Sequence, residues 1–288
     1  MTLFTCKRTG AVAVMIAAAM GMRAHTDEGL VLHYDFKEVA GTAVTDMSPT
    51  GAKARMMGGA KVCAVGTKYA ALSLGGNNGY LDMTSAAGKA VKVLEDHTVS
   101  CYYMVDEAQD ITGAGNFVWS FSTSTATSQT AGAYAAYRVN VQRPAASPAG
   151  WGSEVGCEVG TPSVKGQWVH VLYRQQGAKG ELWVDGKKVA SATNMPKLSA
   201  VFATAPAYCF IGRPAFSGDS YLKNTMVTDF RVYSKALTDA EVAELAEVTS
   251  DIEYEYRYGV PGDFTLLKAK IEEAKALAES VPSMLWLN

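Results

Sequence analysis

The chain has 288 residues, with 26 lysines and arginines against 28 aspartates and glutamates and a formal net charge of −2. This balance gives no support for nucleic-acid binding or for a polybasic membrane anchor. Hydrophobic residues make up 48% of the chain and charged residues 19%, which excludes a disordered protein, and the many glycines and aromatics favour short strands joined by turns.

The N-terminus has the pattern of a leader. Lys7 and Arg8 precede an apolar run from Ala11 to Met22. A basic segment followed by a short apolar core is typical of a secretory signal peptide, whereas a transmembrane helix needs about 20 apolar residues. We therefore expect residues 1–24 to be a signal peptide and the mature protein to be secreted, periplasmic or at the cell surface. The alternative is a short buried helix.

Cysteine usage leaves two alternatives open. Removal of the leader would leave Cys63, Cys101, Cys157 and Cys209. In an exported protein, four cysteines permit two disulfides, and the wide spacing does not indicate zinc. Because Cys101 and Cys209 lie within apolar strand-like runs, buried free thiols are the other alternative.

Strand patterns separated by turn residues fill the chain from residue 29 to residue 234. The predicted strands are Leu30–Phe36, Tyr69–Leu74, Tyr80–Met83, His97–Val105, Asn116–Ser122, Tyr134–Gln142, Trp168–Gln175, Glu181–Val184, Tyr208–Gly212 and Val227–Ser234. This spacing is typical of a β-sandwich or jelly roll. Asp185-Gly186 between two apolar segments predicts a type I′ hairpin. Ser122–Gly132 and Arg143–Gly152 are predicted to be exposed loops.

Helix signals occur only near the C-terminus. Thr238 and Glu241 form a capping-box pattern that predicts a short helix. Residues 251–262 are polar and tyrosine-rich, and Phe264–Ser280 has the apolar stripe of an amphipathic helix. We therefore expect residues 251–288 to be a linker with a helix that docks a partner or begins a further module.

Three segments carry a family resemblance. They are Gly29–Phe36, Gln167–Val171 running into Leu182–Lys187, and Phe210–Arg213 followed by Thr228–Glu241. Their order, across roughly 27–248, resembles the LamG-like jellyroll of the concanavalin A-like lectin/glucanase superfamily. The resemblance implies an all-β, two-sheet antiparallel jelly-roll sandwich. Such domains commonly act as glycan-binding or adhesive modules beside carbohydrate-active domains, and some related domains hold calcium.

Catalysis is the weakest of the functional hypotheses. Glycoside hydrolases need two carboxylates across the scissile bond. Related hydrolases carry them as Glu-x-Asp-x-x-Glu, and the nearest match, Asp251, Glu253 and Glu255, lacks the first glutamate. We therefore predict a non-catalytic carbohydrate-binding or adhesive module. A structural or partner-docking domain is the alternative, and a divergent glycoside hydrolase is the third.

Candidate binding residues combine aromatic rings with amide and carboxylate groups, as a sugar site requires. They are Asn77, Asn78, Tyr80, Trp151, Asp219 and Tyr221. For calcium, the candidates are Asp35, Asp46 and Asp229, which could converge near the first and last strands. No other cofactor is expected. The expected partner is a glycan or a protein surface, with neither nucleic acid nor a transmembrane segment.

Overall fold

The computed structural model describes residues 27–123 and 132–259, together with 272–273 and 275–276. The predicted leader, 1–24, lies outside the described residues, as do residues 124–131 of the predicted loop. Of the predicted helix 264–280, the four described residues are helical and exposed.

Strands dominate the described residues. They are β1 (Leu30–Tyr34), β2 (Val39–Ala40), β3 (Ala43–Val44), β4 (Ala54–Met57), β5 (Lys61–Val65), β6 (Tyr69–Ser73), β7 (Tyr80–Asp82), β8 (His97–Val105), β9 (Phe117–Ser122), β10 (Tyr134–Arg138), β11 (Arg143–Ser147), β12 (Val155–Gly156), β13 (Val169–Gln176), β14 (Lys179–Val184), β15 (Lys187–Ala192), β16 (Tyr208–Ile211) and β17 (Thr225–Tyr233). The helices are α1 (Thr84–Val91), α2 (Leu198–Val201) and α3 (Asp239–Tyr258). Helix α1 is absent from the sequence prediction.

Two antiparallel sheets form the sandwich. Sheet A has the order β15-β14-β13-β8-β17-β6-β5, with β1 also paired to β17. Sheet B has the order β12-β11-β10-β9-β16-β7-β4-β3-β2. The predicted all-β jelly-roll sandwich is therefore confirmed. The main core lies between the sheets and includes Tyr103, Trp119 and Phe230, all almost fully buried.

Helix α3 covers the outer face of sheet A. Its Val242 and Leu245 pack in a small cluster with Trp183 of β14, and Ile252 packs in another with Tyr102 of β8. Because sheet B covers one face of β8 and helix α3 the other, every residue of β8 is buried. The capping box is confirmed, since the side chain of Thr238 accepts from the backbone N–H of Glu241 and the Glu241 side chain accepts from that of Thr238.

Two local sequence predictions, a short helix and an exposed loop, need correction. The helix that follows the capping box is not short but runs for 20 residues to Tyr258. Residues 251–258, predicted to belong to a linker, therefore continue the helix, and its buried side includes Ile252. The predicted exposed loop Arg143–Gly152 begins with strand β11, in which Pro144, Ala145, Ala146 and Ser147 are buried.

The four cysteines within the described residues are free thiols, so the alternative of two disulfides among them is wrong. Cys101, Cys157 and Cys209 are buried, and burial raises the pKa of each of these thiols. Cys63 is half-buried, and its sulfur lies 3.7 Å from that of Met226. These thiols behave as small apolar side chains.

Candidate functional site

The outer face of sheet B carries a mixed polar and aromatic surface. Strand register places Arg55, Asp82, Phe210, Ser120 and Ala136 side by side across β4, β7, β16, β9 and β10. These residues alternate with core residues on the inner face, as the pleat of a strand requires. On this face Arg55 is exposed and Asp82 is half-buried, whereas Ser120, Ala136 and Phe210 are buried, so its accessible part lies at β4 and β7.

Four side chains form an aromatic and cationic group on this face, which we name the Tyr80 cluster. The ring of Tyr80 lies 5.8 Å from that of Phe210 and 5.9 Å from that of Tyr221, centroid to centroid. The guanidinium of Arg213 lies 5.2 Å from the Tyr80 ring and 4.6 Å from the Phe210 ring. Burial raises the pKa of Tyr80, and Arg213 opposes that effect. The cluster joins three rings and one cation at one place.

The segment after β16 completes the cluster because the chain turns back over the sheet. Gly212 has φ of +83°, and a Cβ there would lie 2.6 Å from a methyl carbon of Leu74. Glycine is therefore required at this turn. The hydroxyl of Ser120 donates to the carbonyl of Arg213 at 2.8 Å, and Phe216 packs 4.7 Å from the ring of Tyr134. These contacts hold the segment against the sheet.

A charged group lies beside this segment, on β10 and β11. The carboxylate of Glu154 accepts from Arg138 at 3.1 Å and also contacts Arg143 and the hydroxyl of Tyr134. Burial raises the pKa of Tyr134; Arg138 opposes that effect and Asp219 adds to it. The two arginines are matched by Glu154 and Glu158, which lies 3.4 Å from Arg143. This group is therefore electrically balanced.

The structure brings together some of the predicted binding residues and separates others. Tyr80 and Tyr221 meet in the Tyr80 cluster, and Asp219 lies near enough to Tyr134 to affect its pKa. Asn77 and Asn78 are exposed in the turn between β6 and β7. Trp151 is 60% exposed in a single 3₁₀ turn between β11 and β12.

The predicted calcium ligands do not converge. Within residues 27–123 and 132–259, no three His, Cys, Asp or Glu side chains are placed to hold a metal ion. The carboxylate of Asp46 accepts from the backbone N–H groups of His33, Ser48 and Ala52. It therefore orders the chain after β1. Asp35 accepts from the N–H of Lys37 two residues later.

The third predicted calcium ligand is held by two protein side chains. Asp229 accepts from the His33 ring at 2.6 Å and from the Arg231 guanidinium at 2.9 Å. Burial by itself would raise the pKa of Asp229, but Arg231 and His33 hold it well below its usual range. These two contacts give the carboxylate of Asp229 a structural role that links β1 to β17.

The three carboxylates nearest to the hydrolase pattern dock helix α3 on sheet A. Asp251 accepts from the hydroxyl of Tyr69 at 2.6 Å, and Glu253 accepts from the backbone N–H of Trp168 at 2.8 Å. Glu255 accepts from the backbone N–H of Thr67 at 2.8 Å. All three therefore have structural partners on the face opposite the Tyr80 cluster.

A family model matches residues 75–243, more than half of the chain, and describes the concanavalin A-like lectin/glucanases superfamily. The chain belongs to this superfamily. The match spans β7 to the first turns of α3 and includes the whole Tyr80 cluster. No curated protein matches the chain. Among the described residues, no helix combines the length and the apolar character needed to cross a membrane.

Solved structures share the fold at low sequence identity. Domain 4 of AbnA, an extracellular arabinanase of Geobacillus stearothermophilus solved with arabinotriose, has a TM-score of 0.57 at 16% identity, covering 75% of this chain and 98% of that one. The binding domain of botulinum neurotoxin serotype D/C has a TM-score of 0.56 at 12% identity, covering 80% of this chain and 53% of that one. The Trypanosoma rangeli sialidase has a TM-score of 0.53 at 18% identity, covering 78% of this chain and 33% of that one.

These neighbours show that the fold serves both enzymes and binding domains. The chain spans about half of the toxin domain and a third of the sialidase. At such identities the likeness concerns the fold alone. Sequence reasoning missed two members of the Tyr80 cluster, Phe210 and Arg213, as site residues. Both lie in the segment Phe210–Arg213, which carries part of the family resemblance but gives no sign of a binding role in the sequence.

Proposed function

We propose that the protein is an extracellular, non-catalytic carbohydrate-binding module whose glycan ligand lies across the outer face of sheet B. The observation that carries this proposal is the Tyr80 cluster. Sugar sites combine aromatic faces, which contact the C–H surface of a sugar ring, with a few polar groups that bind hydroxyls. Tyr80 and Tyr221 supply the rings, while Arg213 and the neighbouring Asp82 supply a donor and an acceptor.

Two further observations support the proposal. The arabinanase domain, which this chain matches over most of that domain's length, was solved with an arabinose oligosaccharide. The carboxylates that the sequence offers for hydrolysis, Asp251, Glu253 and Glu255, are used to dock helix α3. The leader predicted at residues 1–24 supports an extracellular location.

Affinity electrophoresis against a panel of soluble plant, bacterial and host polysaccharides tests the proposal. We expect retardation by at least one polysaccharide, and a loss of affinity of about tenfold in Tyr80→Ala and in Tyr221→Ala, equivalent to about 1.4 kcal/mol. Tyr254→Ala is the matched control, since Tyr254 is an exposed tyrosine on helix α3. Equal losses in all three variants, or no retardation by any polysaccharide, would overturn the proposal.

A partner-docking role is the second candidate. Tyr254, Tyr256 and Tyr258 are 58%, 44% and 62% exposed near the end of helix α3, and the rings of Tyr254 and Tyr258 lie 5.4 Å apart. Exposed tyrosines are enriched in protein interfaces. Truncation at residue 251 would remove the contacts of Asp251 and Glu255, so substitution is the better test. Loss of a co-purifying partner in a Tyr254→Ser/Tyr258→Ser variant with intact glycan binding would support this role.

A further inference from the structure

A cavity opens between helix α1 and the segment that leads into β16. Its volume is about 390 Å³. The polar side chains that line it are Ser85, Lys89 and Lys92 on one side, and Thr204 and Tyr208 on the other. This cavity is distinct from the Tyr80 cluster and contains none of the residues that the sequence singled out.

The lining of the cavity is cationic. It includes two lysines and no aspartate or glutamate. Within the part of the chain that the structure describes, Lys89 makes no ion pair, and Lys92 donates only to the carbonyl of Ala205 at 3.3 Å. The lining also includes the hydroxyl-bearing residues Ser85, Thr204 and Tyr208. Two ammonium groups among hydroxyls, with no carboxylate to balance them, match an anionic ligand that also offers hydroxyl groups.

The backbone holds the two walls of the cavity together. Helix α1 buries Ala87, Gly88 and Val91 against the sandwich. A Cβ at Gly88 would collide with the carbonyl oxygen of Ala207. Glycine therefore permits the close approach of helix α1 to the 204–208 segment and fixes where the lysines stand relative to Tyr208.

The cavity and the Tyr80 cluster share one sheet face. Tyr208 is the first residue of β16, and Phe210 of the Tyr80 cluster follows two residues later on the same face. From Tyr208 to Phe210 the strand advances two residues, or about 7 Å, and the ring of Tyr80 lies a further 5.8 Å from that of Phe210. An oligosaccharide rather than a single sugar covers that length. A glycan that contacts the Tyr80 cluster can therefore reach the lysines.

We propose that this cavity binds the carboxylate or sulfate group of an acidic sugar within the glycan that crosses the outer face of sheet B. This inference rests on the proposed carbohydrate-binding function and names the class of its ligand. The carboxylate and the sulfate are alternative sources of the same chemistry, an oxyanion on a sugar ring that two ammonium groups can pair with.

The test compares two lysine variants on three kinds of polysaccharide. Binding is measured for polygalacturonate, dextran sulfate and a panel of neutral polysaccharides, each at low and at moderate salt. We expect Lys89→Gln/Lys92→Gln to bind at least one acidic polymer about tenfold more weakly, with a flatter salt dependence and unchanged binding to any neutral polymer. The polygalacturonate and dextran sulfate arms distinguish a carboxylate ligand from a sulfate ligand.

Lys61→Gln/Lys187→Gln is the matched control, because both lysines are exposed on sheet A and the change in net charge is the same. Equal losses in the two double variants would show non-specific charge attraction and overturn the cavity proposal. Binding to neutral polymers alone would also overturn it while leaving the proposed function intact. Failure to bind any polysaccharide would refute the proposed function itself. Thermal unfolding of each variant confirms that binding losses do not come from misfolding.

Discussion

Two fully buried histidines should make the protein less stable as the pH falls. Burial lowers the pKa of His97 to about 4 and that of His170 to about 3. In the unfolded chain both would titrate near 6.5. The folded state keeps both histidines neutral, whereas the unfolded chain binds protons at them below pH 6.5. The free energy of unfolding is therefore at its full value above pH 6.5 and falls as the pH drops from there toward the folded pKa.

The magnitude follows from the size of the shift. Each pH unit below 6.5 lowers the free energy of unfolding by about 1.4 kcal/mol per histidine. At pH 5 the loss is about 2 kcal/mol for each histidine and about 4 kcal/mol for both. The carboxylates with lowered pKa values act in a lower range. Glu181 and Glu241, for example, have pKa values of about 2 because lysine partners outweigh their burial. The stability that these carboxylates contribute is lost mainly below pH 4.5. Between pH 5 and pH 6.5 the two histidines therefore dominate the pH dependence of the free energy of unfolding.

Urea unfolding at pH 8, 7, 6 and 5 and constant ionic strength measures this loss. His170 bonds to the hydroxyl of Ser100 through Nε2 at 2.8 Å and packs against the ring of Tyr102. The His170→Phe/Ser100→Ala variant keeps an aromatic ring there without a titrating group. We expect its loss of stability between pH 8 and pH 5 to be about 2 kcal/mol smaller than in the parent. Ser100→Ala alone keeps the histidine and should keep the full loss; equal losses in all three proteins would refute the reasoning.

Three further predictions concern the fold that supports the site. Glu255→Ala removes bonds to Thr67 and should lower the free energy of unfolding by about 1–3 kcal/mol in urea titration, while glycan binding is unchanged. Phe216→Ala should lower it by about 3–5 kcal/mol and also weaken glycan binding, because Phe216 holds its segment against Tyr134; intact binding would contradict this. In denaturant, a thiol reagent should react with all four free cysteines of the described region. In the native protein it should react only slowly with the three buried ones. Fewer than four reactive thiols in denaturant would indicate a disulfide.

Local chemistry made part of the fold predictable from the sequence. Asp185 and Gly186 both have positive φ and join β14 to β15, as the hairpin pattern predicted. The Thr238 capping box likewise depends on four consecutive residues. The full length of helix α3 was not predictable, because its polar second half is held by Tyr69, Trp168 and Thr67 from distant strands.

The candidate site was predictable only in part for the same reason. The aromatic residues Tyr80 and Tyr221 could be proposed from residue type, since binding sites are commonly lined by aromatic rings. The cavity could not be predicted from the sequence, because Lys89 and Tyr208 are more than a hundred residues apart and come together only in the folded protein. The partners of Asp229 were likewise not predictable, because sequence spacing does not show that Arg231 and the His33 ring contact its carboxylate.

The location of the glycan is the central claim, and amide chemical shifts of the isotope-labelled protein, titrated with a polysaccharide fragment that binds, test it most directly. We expect the largest shifts at Tyr80, Phe210 and Tyr221 on the outer face of sheet B, and none along helix α3. Shifts confined to helix α3 and the outer face of sheet A would contradict the account.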